Sequence, residues 1–171
     1  MRKLNSGFTL VELMVVITIL GILMSFLMVG VAVVRRQAKA RQTELNMKII
    51  EQAASNYQMD HRDFPGNGGM SNVPADSSAV LLDGLMNGTG RWAPYIRKGD
   101  VPTGSKDEKE VFLDPWEEPI AYKHPAAYMR RPPKADSIRL YSAGPDKNFK
   151  TEDDNIVNWP REDFPDTPLA P

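Results

Sequence analysis

The chain has 171 residues, a formal net charge of −1 at pH 7 and no cysteine. This length leaves room for one modest domain beside an apolar N-terminal stretch, which excludes a large enzyme core. Residues 1–50 hold seven Lys or Arg and two Glu, whereas residues 51–171 hold 14 basic and 20 acidic side chains. The acidic C-terminal part argues against nucleic acid as a partner, and the lack of cysteine excludes disulfides, thiolate metal sites and a cysteine nucleophile.

The first predicted element is an apolar helix over residues 8–34, which carries a single charged side chain, Glu12. Roughly 20 apolar residues are enough to cross a bilayer, so this segment predicts a membrane-spanning helix. In an ordinary secretory signal the small residue for cleavage follows the apolar run, but here Gly7 precedes it. Cleavage after Gly7 would remove a short basic leader, residues 1–7, and leave a single-pass anchor attached.

Glu12 is the feature of this segment that an apolar helix does not explain. An ionisable side chain within a membrane helix is costly and is usually paired or functional. Glu12 lies near the predicted interface, where the cost is smaller. From the residues alone, contact with lipid head groups and pairing with a cation both remain open.

Residues 7–13, with the sequence Gly-Phe-Thr-Leu-Val-Glu-Leu, precede an unbroken apolar run. This pattern resembles the prepilin signature of type IV pilins and type II secretion pseudopilins. The resemblance implies that a prepilin peptidase cuts after Gly7 on the cytoplasmic side and methylates the new amino group on Phe8. It also implies that Glu12 neutralises the Phe8 amine of a neighbouring subunit, which agrees with the penalty on an unpaired carboxylate inside a helix bundle.

The basic residues around the apolar run give a conflicting indication of orientation. Two of them precede it and four follow it, namely Arg2 and Lys3 before, and Arg35, Arg36, Lys39 and Arg41 after. The positive-inside rule would therefore place the C-terminal part in the cytoplasm. The resemblance implies the opposite, a bacterial inner-membrane protein with its C-terminal domain in the periplasm. We follow the resemblance because the signature is specific, whereas the rule is statistical.

The helix is predicted to continue beyond the apolar run, over residues 35–60, because no helix breaker occurs before Pro65. Apolar residues recur every four positions at Leu45, Ile49, Ala53 and Tyr57, with Ile50 and Ala54 beside them. This spacing predicts an amphipathic continuation whose apolar stripe packs on a globular domain.

Residues 61–159 are predicted to form that globular domain, and the fold class is α+β, a long N-terminal helix on a small antiparallel sheet. A short helix is expected at Ser78–Leu85, and strands at Pro119–Lys123 and Ser137–Ser142. The polar stretch Gly99–Glu110 is predicted to be an exposed excursion. Trp92 and Trp116 are interpreted as packing residues, and His61 and His124 as isolated surface histidines. Arg130–Pro133 is predicted to be a turn, and residues 160–171, which contain four prolines, a mobile tail.

The loop at residues 142–156 concentrates oxygen ligands. Asp146 and the pair Asp153 and Asp154 can converge if the chain turns back between them. Ca²⁺ takes six to eight oxygen ligands from carboxylates, carbonyls and water, but the spacing here is not that of an EF-hand. The residues alone leave a solvated turn and a metal site both open.

A second resemblance covers the C-terminal region, and it is carried by Asp114-Pro115-Trp116, residues 141–146, Thr151, Asp153, Asp154, Ile156 and Trp159. These residues resemble the C-terminal region of the major pseudopilins of type II secretion. The resemblance implies one Ca²⁺, held by the carbonyl of Ala143 and by Asp146, Thr151, Asp153 and Asp154. Glu117 departs from the pattern, because glycine often follows the tryptophan.

The sequence shows no recognisable catalytic motif, so we do not expect an enzyme. The leading hypothesis is a structural subunit of a type II secretion pseudopilus, a homopolymer that works with minor pseudopilins and an inner-membrane assembly platform. One alternative is a type IV pilus or minor pilin subunit, although pilins of that kind often carry a C-terminal disulfide. Another alternative is a membrane-tethered binding module.

Overall fold

The computed structural model describes residues 8–66, 73–125, 137–151 and 154–159, and within these it does not describe the side chains of residues 26–30. The predicted leader, the predicted Arg130–Pro133 turn and the predicted tail therefore lie outside the described residues. The chain divides into two compact units, and the boundary falls between Ala38 and Lys39.

The long helix α1 runs from Leu10 to His61, over 52 residues. It contains no proline, and it ends where Arg62 adopts a positive φ of 58° just before Pro65. Apolar side chains of its N-terminal part are exposed; Leu10, for example, has 73% of its surface accessible. No helix among the described residues combines the length and the apolarity needed to cross a membrane.

The buried face of α1 agrees with the predicted apolar face at Ile50, Ala53 and Ala54, and it differs from that face at two positions. Leu45 and Ile49 are exposed. The buried residues recur at spacings of three and four instead, and they are Thr43, Asn46, Met47, Ile50, Ala53 and Ala54. A helix has 3.6 residues per turn, so residues spaced exactly four apart move gradually around its circumference. Leu45 and Ile49, the first two residues of the predicted stripe, therefore lie off the buried face.

The globular unit adds a second helix and five strands. Helix α2 spans Pro74–Leu82 and leads into a single π-type turn, Asp83–Asn87. The strands are β1 (Thr103–Lys106), β2 (Lys109–Phe112), β3 (Ala121–Lys123), β4 (Arg139–Ser142) and β5 (Ile156–Val157). In the described part of the chain β1 and β2 form a two-stranded sheet, and a three-stranded sheet has the order β3-β4-β5, with every pair antiparallel.

Two predicted elements change in the structure. Helix α2 starts earlier than predicted, because Pro74 fits the first helical turn, where no N–H donor is needed. The predicted excursion Gly99–Glu110 is mostly exposed, as expected, but most of it is ordered as the β1–β2 hairpin and is not an irregular loop. Asp107 and Glu108 form its tight turn with φ of 50° and 62°, and they lack the Asn-Gly signature that usually marks such turns.

The core lies between α2, the C-terminal part of α1 and the two sheets, and its largest fully buried side chains include Ile50, Leu81, Phe112, Ile120 and Leu140. Two buried serines of α2 connect this helix to both sheets. Ser77 Oγ accepts a hydrogen bond from Tyr122 N at 3.1 Å, and Ser78 Oγ accepts one from Phe112 N at 3.1 Å.

The α+β class is confirmed, with the long N-terminal helix packed on small antiparallel sheets. The predicted strands are confirmed too, since β3 and β4 lie within them. The packing role predicted for Trp92 is wrong, because 62% of its surface is exposed. His124 is not a surface histidine; it is 7% exposed, and its Nε2 lies 3.1 Å from Asp63 Oδ1.

Candidate functional site

Glu12 lies in the first turn of α1 and closes a capping box with Thr9. Thr9 donates two hydrogen bonds to Glu12 Oε2, from its backbone N at 2.9 Å and from its hydroxyl at 2.7 Å. In return, Glu12 N donates to Thr9 Oγ1 at 3.2 Å. The sequence analysis missed this role of Thr9, although the Thr-x-x-Glu spacing signals it.

The cap involves only one of the two carboxylate oxygens of Glu12. Both hydrogen bonds from Thr9 end on Oε2, and no donor among the described residues contacts Oε1. Phe8, the residue predicted to carry the methylated amine, is 73% exposed beside the cap. Gly7, the predicted cleavage position, lies outside the described residues.

The acidic loop begins directly after β4, where Ala143 is fully buried and residues Gly144–Asp146 form a 3₁₀ turn. Asp146 then organises the chain that follows. Its Oδ1 accepts from Asn148 N at 2.8 Å, and its Oδ2 accepts from the Thr151 hydroxyl. The structure therefore brings together two of the predicted ligands, Asp146 and Thr151.

Asp154 closes the loop from the other side. Its Oδ2 accepts a hydrogen bond from Asp146 N at 3.3 Å. Its carbonyl oxygen lies so close to Gly144 that a Cβ added there would be 2.3 Å away. Gly144 also has a φ of 70°, a conformation that glycine adopts without steric cost. This close approach places Asp154 against the start of the loop.

The side chains in this loop suit a hard cation. The Thr151 hydroxyl contacts the Asp146 carboxylate, and the Asp154 carboxylate lies against the backbone N of Asp146; carboxylate oxygens are preferred ligands of Ca²⁺. Asn155 is buried beside them, and its amide oxygen has no donor among the described residues. Asp153 lies outside those residues, and in the described part of the chain no group of three acidic, histidine or cysteine side chains is close enough to hold a metal ion.

A buried carboxylate, Asp114, connects the acidic loop to the rest of the domain. Its Oδ1 accepts from Trp116 N at 2.9 Å and from Glu118 N at 3.0 Å, and its Oδ2 accepts from the Ser142 hydroxyl. Ser142 Oγ in turn accepts from Gly144 N at 3.1 Å. Asp114 therefore holds both its own turn and the start of the loop.

The Asp-Pro-Trp motif was noted in the sequence, but this role of Asp114 was not predicted from it. An Asp before Pro is a signal for a side chain that accepts from N–H groups further along its own turn. Nothing in the sequence places Ser142, 28 residues away, beside the same carboxylate.

Glu118 adds an ion pair to this turn. Its carboxylate lies 3.0 Å from Lys106 Nζ on β1 and 3.8 Å from Lys147 Nζ in the loop. The side chain of Glu118 is only 16% exposed, so the attraction is screened less than at an open surface. Glu118 thus joins the hairpin to the acidic loop.

A polar and aromatic cluster marks the end of α1. Asp60 Oδ2 accepts from the Tyr95 hydroxyl at 2.7 Å and from Trp92 N at 3.0 Å. Desolvation and the Asp60 carboxylate raise the pKa of Tyr95 to about 12. Desolvation acts to raise the pKa of Asp60, but the bonds from Tyr95 and Trp92 outweigh it and leave this pKa below its usual value. His61 stacks on Tyr57 with ring centroids 4.2 Å apart.

Two families match the chain. The prokaryotic N-terminal methylation motif matches residues 2–33, and the family described as type II secretion system (T2SS), protein G, matches residues 31–159. The second match covers most of the chain. The chain therefore belongs to the type II secretion system protein G family.

Individual relatives agree with this assignment. The chain is 30% identical over 166 residues to the type II secretion system core protein G of Aeromonas hydrophila, which covers 95% of this chain and 98% of that protein. It is 29% identical over 154 residues to the core protein G of Escherichia coli (strain K12), covering 90% of each. A fimbrial protein of Neisseria meningitidis is 32% identical over 77 residues, which is 45% of each chain. No solved structure matches the chain.

Proposed function

We propose that this chain is a structural subunit of a type II secretion pseudopilus, a periplasmic filament that helps to export folded proteins. The observation that carries the proposal is the match to the protein G family over residues 31–159, next to a methylation motif over residues 2–33. The role is mechanical, and the chain needs no substrate of its own. Its partners are copies of itself, minor pseudopilins and an inner-membrane assembly platform.

Maturation precedes assembly in this proposal. A prepilin peptidase removes residues 1–7 by cutting after Gly7 and methylates the new amine of Phe8. The protein waits in the bacterial inner membrane, with residues 8–34 as a single-pass anchor and the globular unit in the periplasm. The methylation motif and the 27-residue apolar run support this arrangement.

Glu12 is proposed to neutralise the Phe8 amine of a neighbouring subunit in the filament. The capping box supports this role, because the cap occupies Oε2 and leaves Oε1 without a donor among the described residues. The carboxylate can therefore hold its own helix start and pair with a cation from outside. Two opposite charges in a poorly solvated helix bundle attract strongly, which would fix the register between subunits.

Three variants separate the charge of Glu12 from its capping role. Glu12→Gln keeps an acceptor at the third helical position but loses the charge. Thr9→Ala removes most of the cap and keeps the charge. We expect Glu12→Gln to lose filament assembly as completely as Glu12→Ala does, whereas Thr9→Ala still assembles, with cross-linked multimers in membranes as the measurement. Normal assembly of Glu12→Gln would contradict the pairing.

Ca²⁺ is proposed to bind the acidic loop through the Ala143 carbonyl and through Asp146, Thr151, Asp153 and Asp154. The contact of Thr151 with the Asp146 carboxylate, and the contact of the Asp154 carboxylate with the Asp146 backbone, support this ligand set. When bound, the cation neutralises neighbouring carboxylates that otherwise repel one another. The residues of the chain do the rest: Asp114 and Ser142 hold the start of the loop, and Gly144 lets Asp154 approach.

Thermal unfolding with and without a chelator tests the metal proposal. We expect Ca²⁺ to raise the unfolding free energy by RT ln(1 + [Ca²⁺]/Kd) and with it the melting midpoint, and we expect a chelator to lower both. Asp154→Asn should remove most of this rise. Glu108→Gln, an exposed acid in the hairpin turn, is the matched control and should keep it. A melting midpoint that changes with neither Ca²⁺ nor chelator would contradict the proposed Ca²⁺ site.

A type IV pilus subunit is the second candidate function, favoured by the match to the Neisseria fimbrial protein. Deletion of the gene in its own bacterium distinguishes the two. Loss of extracellular enzymes with surface pili intact supports the pseudopilus, whereas loss of pili with secretion intact supports the pilus.

A further inference from the structure

An open groove of about 520 Å³ lies between the end of α1 and the segment after the π-type turn. Apolar side chains line it and face solvent: Trp92 is 62% exposed and Met59 is 74% exposed. Pro94 and Tyr95 also line it. We call this surface the aromatic groove. Contiguous exposed apolar surface, especially in a groove with a polar rim, is typical of binding sites.

The aromatic groove is held in shape before anything binds. Asp60 accepts hydrogen bonds from both Trp92 N and the Tyr95 hydroxyl, so one carboxylate fixes two sides of the groove. Tyr57 packs against Tyr95 in an edge-on arrangement, with ring centroids 5.3 Å apart. A pre-formed surface loses little conformational freedom on binding.

Basic side chains flank the aromatic groove. Arg97 lines it, and the guanidinium of Arg91 lies 5.3 Å from the centroid of the Trp92 ring. Asp100, the acidic residue of the lining, accepts a hydrogen bond from Arg97 N at 3.1 Å. The guanidinium groups of Arg91 and Arg97 therefore offer partners for negative charge on an apolar ligand.

Residues 160–171 of the chain have this chemistry. Prolines recur every three residues at Pro165, Pro168 and Pro171, and the segment holds three acidic residues and one Arg. A polyproline II helix has three residues per turn, so these prolines would form one ridge. Aromatic-lined grooves bind polyproline II ridges in several recognition domains.

A series of contacts connects Asn158, two residues before this segment, to α1 and the groove. Asn158 Nδ2 donates to Ile138 O at 3.0 Å, and Ile138 lines a second cavity, of about 360 Å³, together with Gln52 of α1. Gln52 Nε2 donates to Asn56 Oδ1 at 3.4 Å, and Asn56 lines the aromatic groove. The two cavities therefore follow one another on the same face of α1.

The length of the segment is sufficient for this path. Gln52 and Met59 are seven residues apart, which is about 10 Å along a helix that rises 1.5 Å per residue. Residues 160–165 in a polyproline II conformation span about 16 Å. The extended segment is therefore longer than the stretch of α1 from Gln52 to Met59.

We propose that residues 160–171 fold back along α1 and bind the aromatic groove of their own chain through Pro165, Pro168 and Pro171. The segment then covers Trp92, and its acidic residues lie near Arg91 and Arg97. This interaction involves neither filament assembly nor Ca²⁺. Its test is therefore independent of the tests of the proposed function.

Fluorine NMR on the full chain in detergent micelles, with fluorinated tryptophan, tests the proposal. A triple variant that changes Pro165, Pro168 and Pro171 to Ala removes the ridge. We expect the Trp92 resonance to shift and its quenching by iodide to increase, while the Trp116 resonance stays unchanged. Thr167→Ala, which lies off the ridge, is the matched control and should leave Trp92 unchanged. Equal Trp92 signals in the triple variant and the unmodified chain would overturn the proposal.

Two further measurements test whether the segment contacts Trp92 directly and whether it comes from the same chain or from another copy. A synthetic peptide of residues 160–171, added to the triple variant, should restore the original Trp92 signal at about 1 mM or above, since a short tether supplies millimolar effective concentration. Failure to restore it at saturating peptide would contradict a direct contact. In the unmodified chain the Trp92 signal should not change on dilution, and a shift on dilution would show that another copy supplies the segment.

Discussion

Two carboxylates, one in each unit of the chain, are satisfied in opposite ways. Glu12 is exposed and accepts both of its hydrogen bonds from Thr9, three residues away. Asp114 is 3% exposed and accepts from Trp116, Glu118 and the distant Ser142. The first arrangement forms wherever a helix starts with these residues, whereas the second exists only when the whole domain is folded. The comparison teaches that the acidic loop depends on remote residues, and the helix start does not.

Loss of Asp114 should have the largest effect. Asp114→Ala leaves two backbone N–H groups and the Ser142 hydroxyl without their acceptor in the core, which should cost about 3 kcal/mol or more of unfolding free energy. Thr9→Ala, the local counterpart, should cost about 1 kcal/mol. Chemical denaturation of the detergent-solubilised chain measures both.

Two further variants bracket the Asp114 result. Asp114→Asn keeps an acceptor for the turn and should recover part of the loss. Asp83→Ala removes an exposed acid that bonds within one helical turn, to Asn87, and should change stability by less than about 0.5 kcal/mol. An Asp114→Ala loss no larger than that of Asp83→Ala would remove the distinction between the two carboxylates.

Gly144 gives the second largest effect, through the same loop. Ala at this position needs a left-handed backbone and places its Cβ 2.3 Å from Asp154 O, so the loop must move. We expect Gly144→Ala to cost about 3 kcal/mol, against about 1 kcal/mol for the left-handed conformation alone.

Gly99→Ala is the matched control for this prediction. Gly99 also has a positive φ, 102°, but no atom lies within 4 Å of an added Cβ. Denaturation midpoints should therefore fall much less for Gly99→Ala. Equal losses at the two glycines would show that backbone conformation, and not the approach of Asp154, matters at Gly144.

Asp60 is intermediate between the two carboxylates, because it sits on α1 and accepts from residues 32 and 35 positions away. The raised pKa of its partner Tyr95 gives a stability contribution that is complete below pH 10 and is lost as pH rises towards about 12. Tyr95→Phe should cost about 1 kcal/mol at neutral pH and should make the loss of stability above pH 10 shallower.

Tyr57→Phe is the control, since Tyr57 lies in the same aromatic cluster. Its unfolding free energy should follow the pH profile of the unmodified chain more closely than that of Tyr95→Phe. An unaltered profile in Tyr95→Phe would mean that the hydroxyl contact with Asp60 adds nothing to folding.

The smallest effect should come from Glu117, inside the turn that Asp114 organises. Glu117 has a φ of 68°, a conformation that glycine adopts freely and other residues adopt at a cost. Glu117→Gly should raise the unfolding free energy by less than about 1 kcal/mol, because glycine also loses more freedom on folding. Glu117→Ala keeps the Cβ and therefore keeps the cost of the positive φ. If Glu117→Ala raised the unfolding free energy as much as Glu117→Gly, the gain would come from removing the glutamate side chain and not from the backbone conformation.

The sequence was informative where structure depends on neighbours along the chain. The helix start, the two central strands and the pairing of Asp146 with Thr151 lie within short stretches, and their residues indicate them. It failed for Leu45, Ile49 and Trp92, since burial of each depends on what packs against it. It also failed at Asp107 and Glu108, whose turn lacks the usual residues.

The amino-acid sequence by itself determined the prepilin signature at residues 7–13, the capping box of Thr9 and Glu12, the α+β class and the acidic character of the C-terminal loop. Each of these features depends only on residue types or on spacings of a few positions along the chain. Only the tertiary structure decided that Asp114 meets Ser142, that Asp154 lies against Gly144, and that Trp92 borders an open groove. These contacts join residues from separate segments, and their stability comes from burial that no single segment achieves alone.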